Sequence, residues 1–187
     1  MGQLILVLGG ARSGKSAYAQ RLAQALGGPQ VLFVATAEAG DAEMAQRIAR
    51  HRQARPAAWR TLEVPRHLGD TVGPQVGDAA VVLVDCLTLL VSNTVLQAGP
   101  QAAAPAVQAE VEALLRACQT GSATWVVVSN EVGLGLVPDT PLGRLYRDVL
   151  GQANQALAAQ AQAVYLLVAG LAVDLKALAA GPGALGT

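Results

Sequence analysis

Apolar positions along the chain follow two rhythms. Leu4-Ile5-Leu6-Val7-Leu8, Val31–Ala35, Ala79–Val84, Thr124–Val128 and Val164–Val168 are short, uncharged runs rich in valine and leucine, the pattern of strands buried on both faces. Helical spacing separates them. Tyr18, Leu22 and Leu26 share one face of a helix ended by Gly27-Gly28-Pro29. Further helices are read over Met44 to Arg55, through Val107, Val111, Leu114, Leu115 and Cys118, and through Leu145, Val149, Ala153 and Leu157. Strands alternating with helices predict an α/β fold, a mostly parallel sheet with helices on both faces. Ligands of such sheets lie beyond the carboxyl ends of the strands.

A length of 187 residues suits one core. We expect a single catalytic domain over residues 1–177 and a small-residue tail over 178–187. Gly99 to Pro105 reads as an exposed Gly/Pro/Ala connector. Lys+Arg and Asp+Glu number 13 each, so no net field favours nucleic acid or anionic lipid. The chain is 52% hydrophobic, but its long uncharged stretch before Asp174 is broken by Gln155, Gln160 and Gln162, which argues against a membrane span. No basic and apolar leader precedes the first strand, so a cytoplasmic location is expected. Cys86 and Cys118 fit no metal spacing and read as reduced, buried thiols. Trp59 reads as a packing anchor and His67 as a surface residue.

The first strand runs into Gly9-Gly10-Ala11-Arg12-Ser13-Gly14-Lys15-Ser16. This is the spacing of a loop that cradles phosphates. Glycines let backbone N–H groups curl round the anion, Lys15 neutralises the outer phosphates, and the Ser16 hydroxyl can ligate Mg²⁺. Strand, glycine loop and helix stand in the order that aims a helix N-terminus at an anion. Within the predicted sheet this is the P-loop NTPase arrangement of RecA-like type. Asp85 directly follows the run Val81-Val82-Leu83-Val84, the place of a carboxylate that holds Mg²⁺ with Ser16; capping of the next helix is its other reading. Thr36 and Asn130-Glu131 stand at comparable strand ends, as active-edge groups or as helix caps.

Residues 43–63 concentrate Arg47, Arg50, Arg52, Arg55 and Arg60 around His51. Arg47, His51 and Arg55 are four apart, with Met44 and Ile48 beside them on the apolar side. Two guanidiniums and partial desolvation bias the imidazole toward its neutral, nucleophilic form, and arginines suit polyphosphate. Spacing alone favours the plainer reading, a solvated basic helix with an incidental histidine.

Together these motifs resemble one family, the bifunctional adenosylcobinamide kinase / adenosylcobinamide-phosphate guanylyltransferase of cobalamin biosynthesis. The resemblance rests on residues 9–16, Ala35-Thr36-Ala37, Arg50-His51-Arg52 leading to Arg55-Pro56, Trp59-Arg60-Thr61, Val84-Asp85-Cys86-Leu87-Thr88, Ser129-Asn130-Glu131-Val132-Gly133, and Arg144 to Asn154. It implies two reactions. Adenosylcobinamide is phosphorylated by ATP or GTP, and GMP then passes from GTP to that phosphate through a GMP-histidine, with His51 at the matching position. It implies nucleotide contacts at Gly9, Gly10, Ala11, Arg12, Ser13, Gly14, Lys15, Ser16, Ala35, Thr36, Ala37, Arg52, Gln53, Ala54, Arg55, Glu63 and Asp85. Glu63 and Asp85 would then accept from guanine or ribose, which competes with the metal role of Asp85. Mg²⁺ as cofactor, a corrinoid substrate and a homo-oligomer, a trimer, are also implied. Two rivals stand beside this reading: another small-molecule kinase with the same loop, and a nucleotide-switched binding protein.

Overall fold

The computed structural model describes residues 2–38, 46, 52 and 55–179. Seven strands form one sheet: β1 (Leu4–Gly9), β2 (Val31–Ala35), β3 (Arg60–Glu63), β4 (Val81–Asp85), β5 (Thr124–Val128), β6 (Ala163–Val168) and β7 (Leu171–Asp174). Their order is β3-β2-β4-β5-β1-β6-β7. All pairs are parallel except β6 with β7. Six parallel strands therefore end at one edge, with β1 inside the sheet between β5 and β6.

The predicted alternation is visible in which face each residue takes. Leu4, Leu6, Leu8, Leu32, Val34, Val82, Val84, Trp125 and Val127 pack on one side, and Ile5, Val7, Val31, Phe33, Val81, Leu83, Val126 and Val128 on the other. A strand with no polar partner for either face must be covered twice. Helix α1 (Lys15–Gly27) covers the second side, while α2 (Leu68–Val72), α3 (Leu87–Ala98), α4 (Ala103–Gln119) and α5 (Pro141–Gln160) lie on the first. A last turn of helix, α6 (Leu175–Leu178), is capped by Asp174.

Four expectations shift. On α1, Tyr18 and Leu22 pack half-buried against the sheet, but the fully buried positions are Ala19 and Ala23 and Leu26 is exposed, because the two alanines let the helix settle close to the sheet. β6 is only partly buried: α1 lies mainly against β1, β2, β4 and β5 and reaches β6 through the edge-on contact of Tyr18 with Tyr165, ring centres 5.5 Å apart. The 99–105 connector is shorter than predicted, since α4 starts at the fully buried Ala103 and Pro105 sits in its first turn, where a missing N–H is harmless. β3, α2 and the antiparallel β7 have no counterpart among the predicted elements. The predicted helix over Met44 to Arg55 and the last residues of the tail lie largely outside the described residues.

Other assignments agree. Trp59 is buried and its indole N–H donates to the Gly28 carbonyl at 3.0 Å. Both cysteines are free thiols, Cys118 buried as expected and Cys86 only partly so. The His67 side chain is exposed, while its backbone N–H and that of Leu68 donate to the buried Glu110 carboxylate at 2.6 and 3.2 Å. Among the described residues no helix is long and apolar enough to cross a membrane.

The α2–α4 crossing depends on a missing side chain. A Cβ at Gly69 would stand 2.2 Å from the Ala113 carbonyl carbon and 2.3 Å from its oxygen. Gly69→Ala must therefore push two backbones apart, and urea unfolding should show a loss of about 2–3 kcal/mol. Stability should also fall in alkali. Burial pushes the Cys118 thiol up to about 12 from an ordinary 9.0, so the folded chain keeps a proton that the unfolded chain releases. The thiol's contribution is intact below about pH 9 and declines toward pH 12; urea midpoints of wild type against Cys118→Ala across that range measure it.

Candidate active site

The glycine loop joins the carboxyl end of β1 to α1, and three contacts with other segments hold it. Glu131 N–H donates to the Gly9 carbonyl at 3.1 Å, and Gly170 N–H, from the β6–β7 turn, donates to the Ser13 carbonyl at 3.0 Å. Gly9 itself has φ 157, and a Cβ there would lie 2.5 Å from Ser13 Oγ and 2.7 Å from the Leu167 carbonyl oxygen. Only glycine fits between those neighbours. Lys15 Nζ donates to the Gly10 carbonyl at 2.8 Å, folding the side chain back over the loop. Helix α1 starts at Lys15 after Gly14, with no side-chain cap and no acidic residue in its first turn. Its first amides and the positive end of its dipole therefore face the loop without an anionic partner from the helix itself. This is how a phosphate site is built.

The neighbouring strand ends carry the other predicted residues. Thr36, fully buried after β2, donates its hydroxyl to the Cys86 carbonyl at 2.7 Å and accepts the Cys86 N–H at 2.8 Å. Asn93 Nδ2 of α3 donates to the Thr36 and Pro65 carbonyls at 2.9 and 3.1 Å. One side chain from α3 thus ties the segments after β2 and β3. Burial pushes the Cys86 thiol up to about 11, assisted by the negative charge of Asp85 and opposed by the positive charge of Lys15. Both charges act on one thiol, so the loop lysine and the β4 carboxylate border the same space.

Arg55 completes this cluster. Its guanidinium carbon lies 3.6 Å from the centre of the Phe33 ring, a desolvated cation–π contact. Burial lowers its affinity for the proton, and Asp85 and Glu63 act in the opposite direction. Arg55 Nε is buried and has no hydrogen-bond partner among the described residues. Arg52 is ion-paired with Glu63 at the end of β3. Arg60 is different. As the first residue of a parallel strand it lies at the opposite edge of the sheet, donating to the Val76 carbonyl at 2.6 Å, and it takes no part in the cluster. Ala35 and Ala37 flank Thr36. His51, Gln53 and Ala54 lie outside the described residues.

Asn130 and Glu131 are not helix caps, since Thr140 caps α5 by accepting Gly143 N–H at 3.1 Å. Instead they enter a polar network that the sequence reading missed. Asn130 N–H donates to Thr88 Oγ1 at 2.8 Å, Asn154 Nδ2 donates to the Asn130 carbonyl at 3.0 Å, and Ser129 Oγ donates to Asn154 Oδ1 at 2.7 Å. Tyr146 donates its hydroxyl to the Thr88 carbonyl at 3.1 Å. The available signal was the polar set Thr88, Asn93 and Asn154 on otherwise apolar helix faces. Thr36→Val keeps the shape of its side chain but leaves the Cys86 N–H and carbonyl without it. Urea unfolding should register a loss of about 2–3 kcal/mol, with Thr36→Ser retaining most of the wild-type value.

The chain is similar to known proteins over most of its length. The family described as Cobinamide kinase / cobinamide phosphate guanyltransferase matches residues 5–175. The chain is 44% identical over 183 residues to the bifunctional adenosylcobalamin biosynthesis protein CobU of Escherichia coli (strain K12), covering 92% of this chain and 99% of that protein. It is 47% identical over 171 residues to the bifunctional adenosylcobalamin biosynthesis protein CobP of Pseudomonas aeruginosa, covering 91% and 96%. Among solved structures, the ATPase domain of G40P superposes with a TM-score of 0.53 at 14% identity over 88% of this chain and 68% of that one, a likeness of fold. With the family match running from the first strand past the last, the chain belongs to the cobinamide kinase / cobinamide phosphate guanyltransferase family.

Proposed function

We propose that this chain phosphorylates adenosylcobinamide with ATP or GTP, then transfers GMP from GTP to the new phosphate, releasing pyrophosphate. The observation that carries the reading is the uncapped start of α1 behind a glycine loop, at the edge where Lys15, Asp85 and Arg55 converge. The family match supplies the acceptor. In the first step the amides of residues 9–16 hold the triphosphate and Lys15 leaves the Gly10 carbonyl for the outer phosphates. The acceptor hydroxyl then attacks the γ-phosphorus, loses its proton, and the nucleoside diphosphate departs.

Ser16 and Asp85 offer hard oxygen donors, and no group of three or more His, Cys, Asp or Glu forms among the described residues. That donor set suits Mg²⁺, which relies on phosphate and water for most of its ligands. Mg²⁺ bound there would neutralise charge on the phosphates. Asp85 is given the metal role because it ends β4, at the sheet edge where β1 runs into the glycine loop. Arg52, Arg55 and Glu63, with Gln53 and Ala54, are assigned to the nucleotide.

For guanylyl transfer, the triphosphate stays anchored by Gly9–Ser16 while the segment bearing His51 closes on the α-phosphorus. The neutral imidazole attacks, pyrophosphate leaves, and the corrinoid phosphate then displaces histidine, so one hard transfer becomes two easier displacements. Arg55, stacked on Phe33 and with a buried Nε that has no hydrogen-bond partner among the described residues, is suited to pair with the phosphates as charge builds. We place the protein in the cytoplasm and, by resemblance, as a homotrimer.

His51→Ala should lose all acid-labile labelling by α-labelled GTP while keeping most of the kinase rate. Lys15→Ala should lower both steps by about a hundredfold or more. Label that persists on His51→Ala removes the histidine from the mechanism. If the wild type is never labelled and hydrolyses nucleotide without modifying a corrinoid, the reading gives way to the nucleotide-switched rival.

A further inference from the structure

The segment between β5 and α5 exposes large aliphatic side chains on a backbone that is tied down. Leu134 is 85% and Leu136 96% exposed, with Val137 also in solvent. At its start, Glu131 N–H is bonded to the Gly9 carbonyl and the Glu131 carboxylate accepts Gly133 N–H at 2.7 Å. At its end, Arg144 donates to the Pro138 and Asp139 carbonyls at 3.0 and 2.8 Å. The Glu131 and Arg144 side chains are engaged with backbone, Asp139 is the one other charged residue of the segment, and the leucines face water. Held apolar surface of this kind marks a contact site.

Next to it lies a pocket of about 280 Å³ between α3 and α5, lined by Ser92, Val95, Leu96, Thr140, Leu142 and Tyr146. Leu96 and Leu142 are themselves exposed. The pocket is aliphatic, rimmed with hydroxyls and without a charged residue. Tyr146 stays a neutral phenol, since burial pushes it up to about 12. A second cleft, of about 520 Å³, is lined by His67, Asp70, Glu110 and Arg116 and presents fixed charge. The uncharged pocket is also the one joined to the phosphate loop: Tyr146 bonds to Thr88, Thr88 to Asn130, and the next residue, Glu131, to Gly9.

We propose that the 130–140 segment and the adjoining pocket between α3 and α5 seat the macrocyclic body of the corrinoid acceptor, leaving its hydroxyl arm to reach the phosphate loop; this rests on the activity proposed above. A corrin presents methyl-bearing carbon faces and a periphery of uncharged carboxamides. It needs aliphatic contact, hydroxyl partners and no opposing fixed charge, at one arm's length from the transferred phosphate. Leu134 and Leu136 meet the ring, and the hydroxyls of Ser92 and Thr140 meet its amides.

The test is Leu134→Ser with Leu136→Ser in the full chain, beside Leu134→Met with Leu136→Met. Both positions are exposed, so the fold does not depend on them. The serine pair should raise KM for adenosylcobinamide in the kinase step by about tenfold or more. Affinity for a fluorescent GTP analogue, GMP labelling without corrinoid and the sedimentation coefficient should match wild type, and the methionine pair should stay within threefold of it. An acceptor KM within twofold of wild type for the serine pair overturns the proposal. So does a KM change that appears only with a fall in sedimentation coefficient, which assigns the surface to a second copy of the chain. A wild type that phosphorylates cobinamide alongside an unaffected serine pair removes the seat alone; a wild type that does not phosphorylate it removes the seat and the activity together.

Discussion

The constraint on which the site depends is the close packing at Gly9. Its carbonyl takes the Glu131 N–H, and the space its side chain would fill is occupied by Ser13 and the Leu167 carbonyl. The glycine loop is thereby bound to β5 on one side and β6 on the other, while Gly170 holds its far limb through Ser13. A loop free to open would lose the convergence of its amides, and with it the field that concentrates on an anion. Placing β1 inside the sheet is what makes this possible, because an interior strand alone has neighbours on both sides to hold the loop.

Two polar devices extend that order to the rest of the edge. Thr36 and Asn93 bind the ends of β2, β3 and β4 together through backbone groups. Ser129, Asn130, Asn154, Thr88 and Tyr146 do the same for β5 and the helices behind it. Each is buried or half-buried, so each bond is worth more than its surface equivalent and each loss leaves an orphaned group. The charged residues differ. Lys15, Asp85 and Arg55 gather at the same edge, with the Arg55 guanidinium held against the Phe33 ring.

Much of this edge was legible in the chain. The apolar runs located β1, β2, β4, β5 and β6 to within two residues, because a strand buried on both faces admits few polar residues and so stands out from its surroundings. The glycine loop was legible because its chemistry depends on spacing within one short segment. Elements without such a signature were missed. β3 alternates weakly and is largely exposed, α2 is only five residues, and β7 pairs at the sheet margin with most of its side chains in solvent. The basic segment was legible as composition but not as geometry: Arg60 counts among the arginines around His51 in the sequence, yet it belongs to the opposite edge because the chain enters β3 there.

Local covalent order was therefore sufficient for the fold class, the phosphate loop and the resemblance that names the chemistry, since each is encoded by residues close together in the chain. Tertiary structure alone decided which polar side chains meet. Thr36 with Cys86, Thr88 with Asn130 and Glu131 with Gly9 are separated by 50, 42 and 122 positions, and such pairs exist only after the parallel crossovers bring the strand ends to one edge. It also decided what covers the sheet and what stays bare. The sequence shows that Leu134 and Leu136 are apolar, but only the path of the chain leaves them facing water, in the segment that Glu131 ties to the glycine loop.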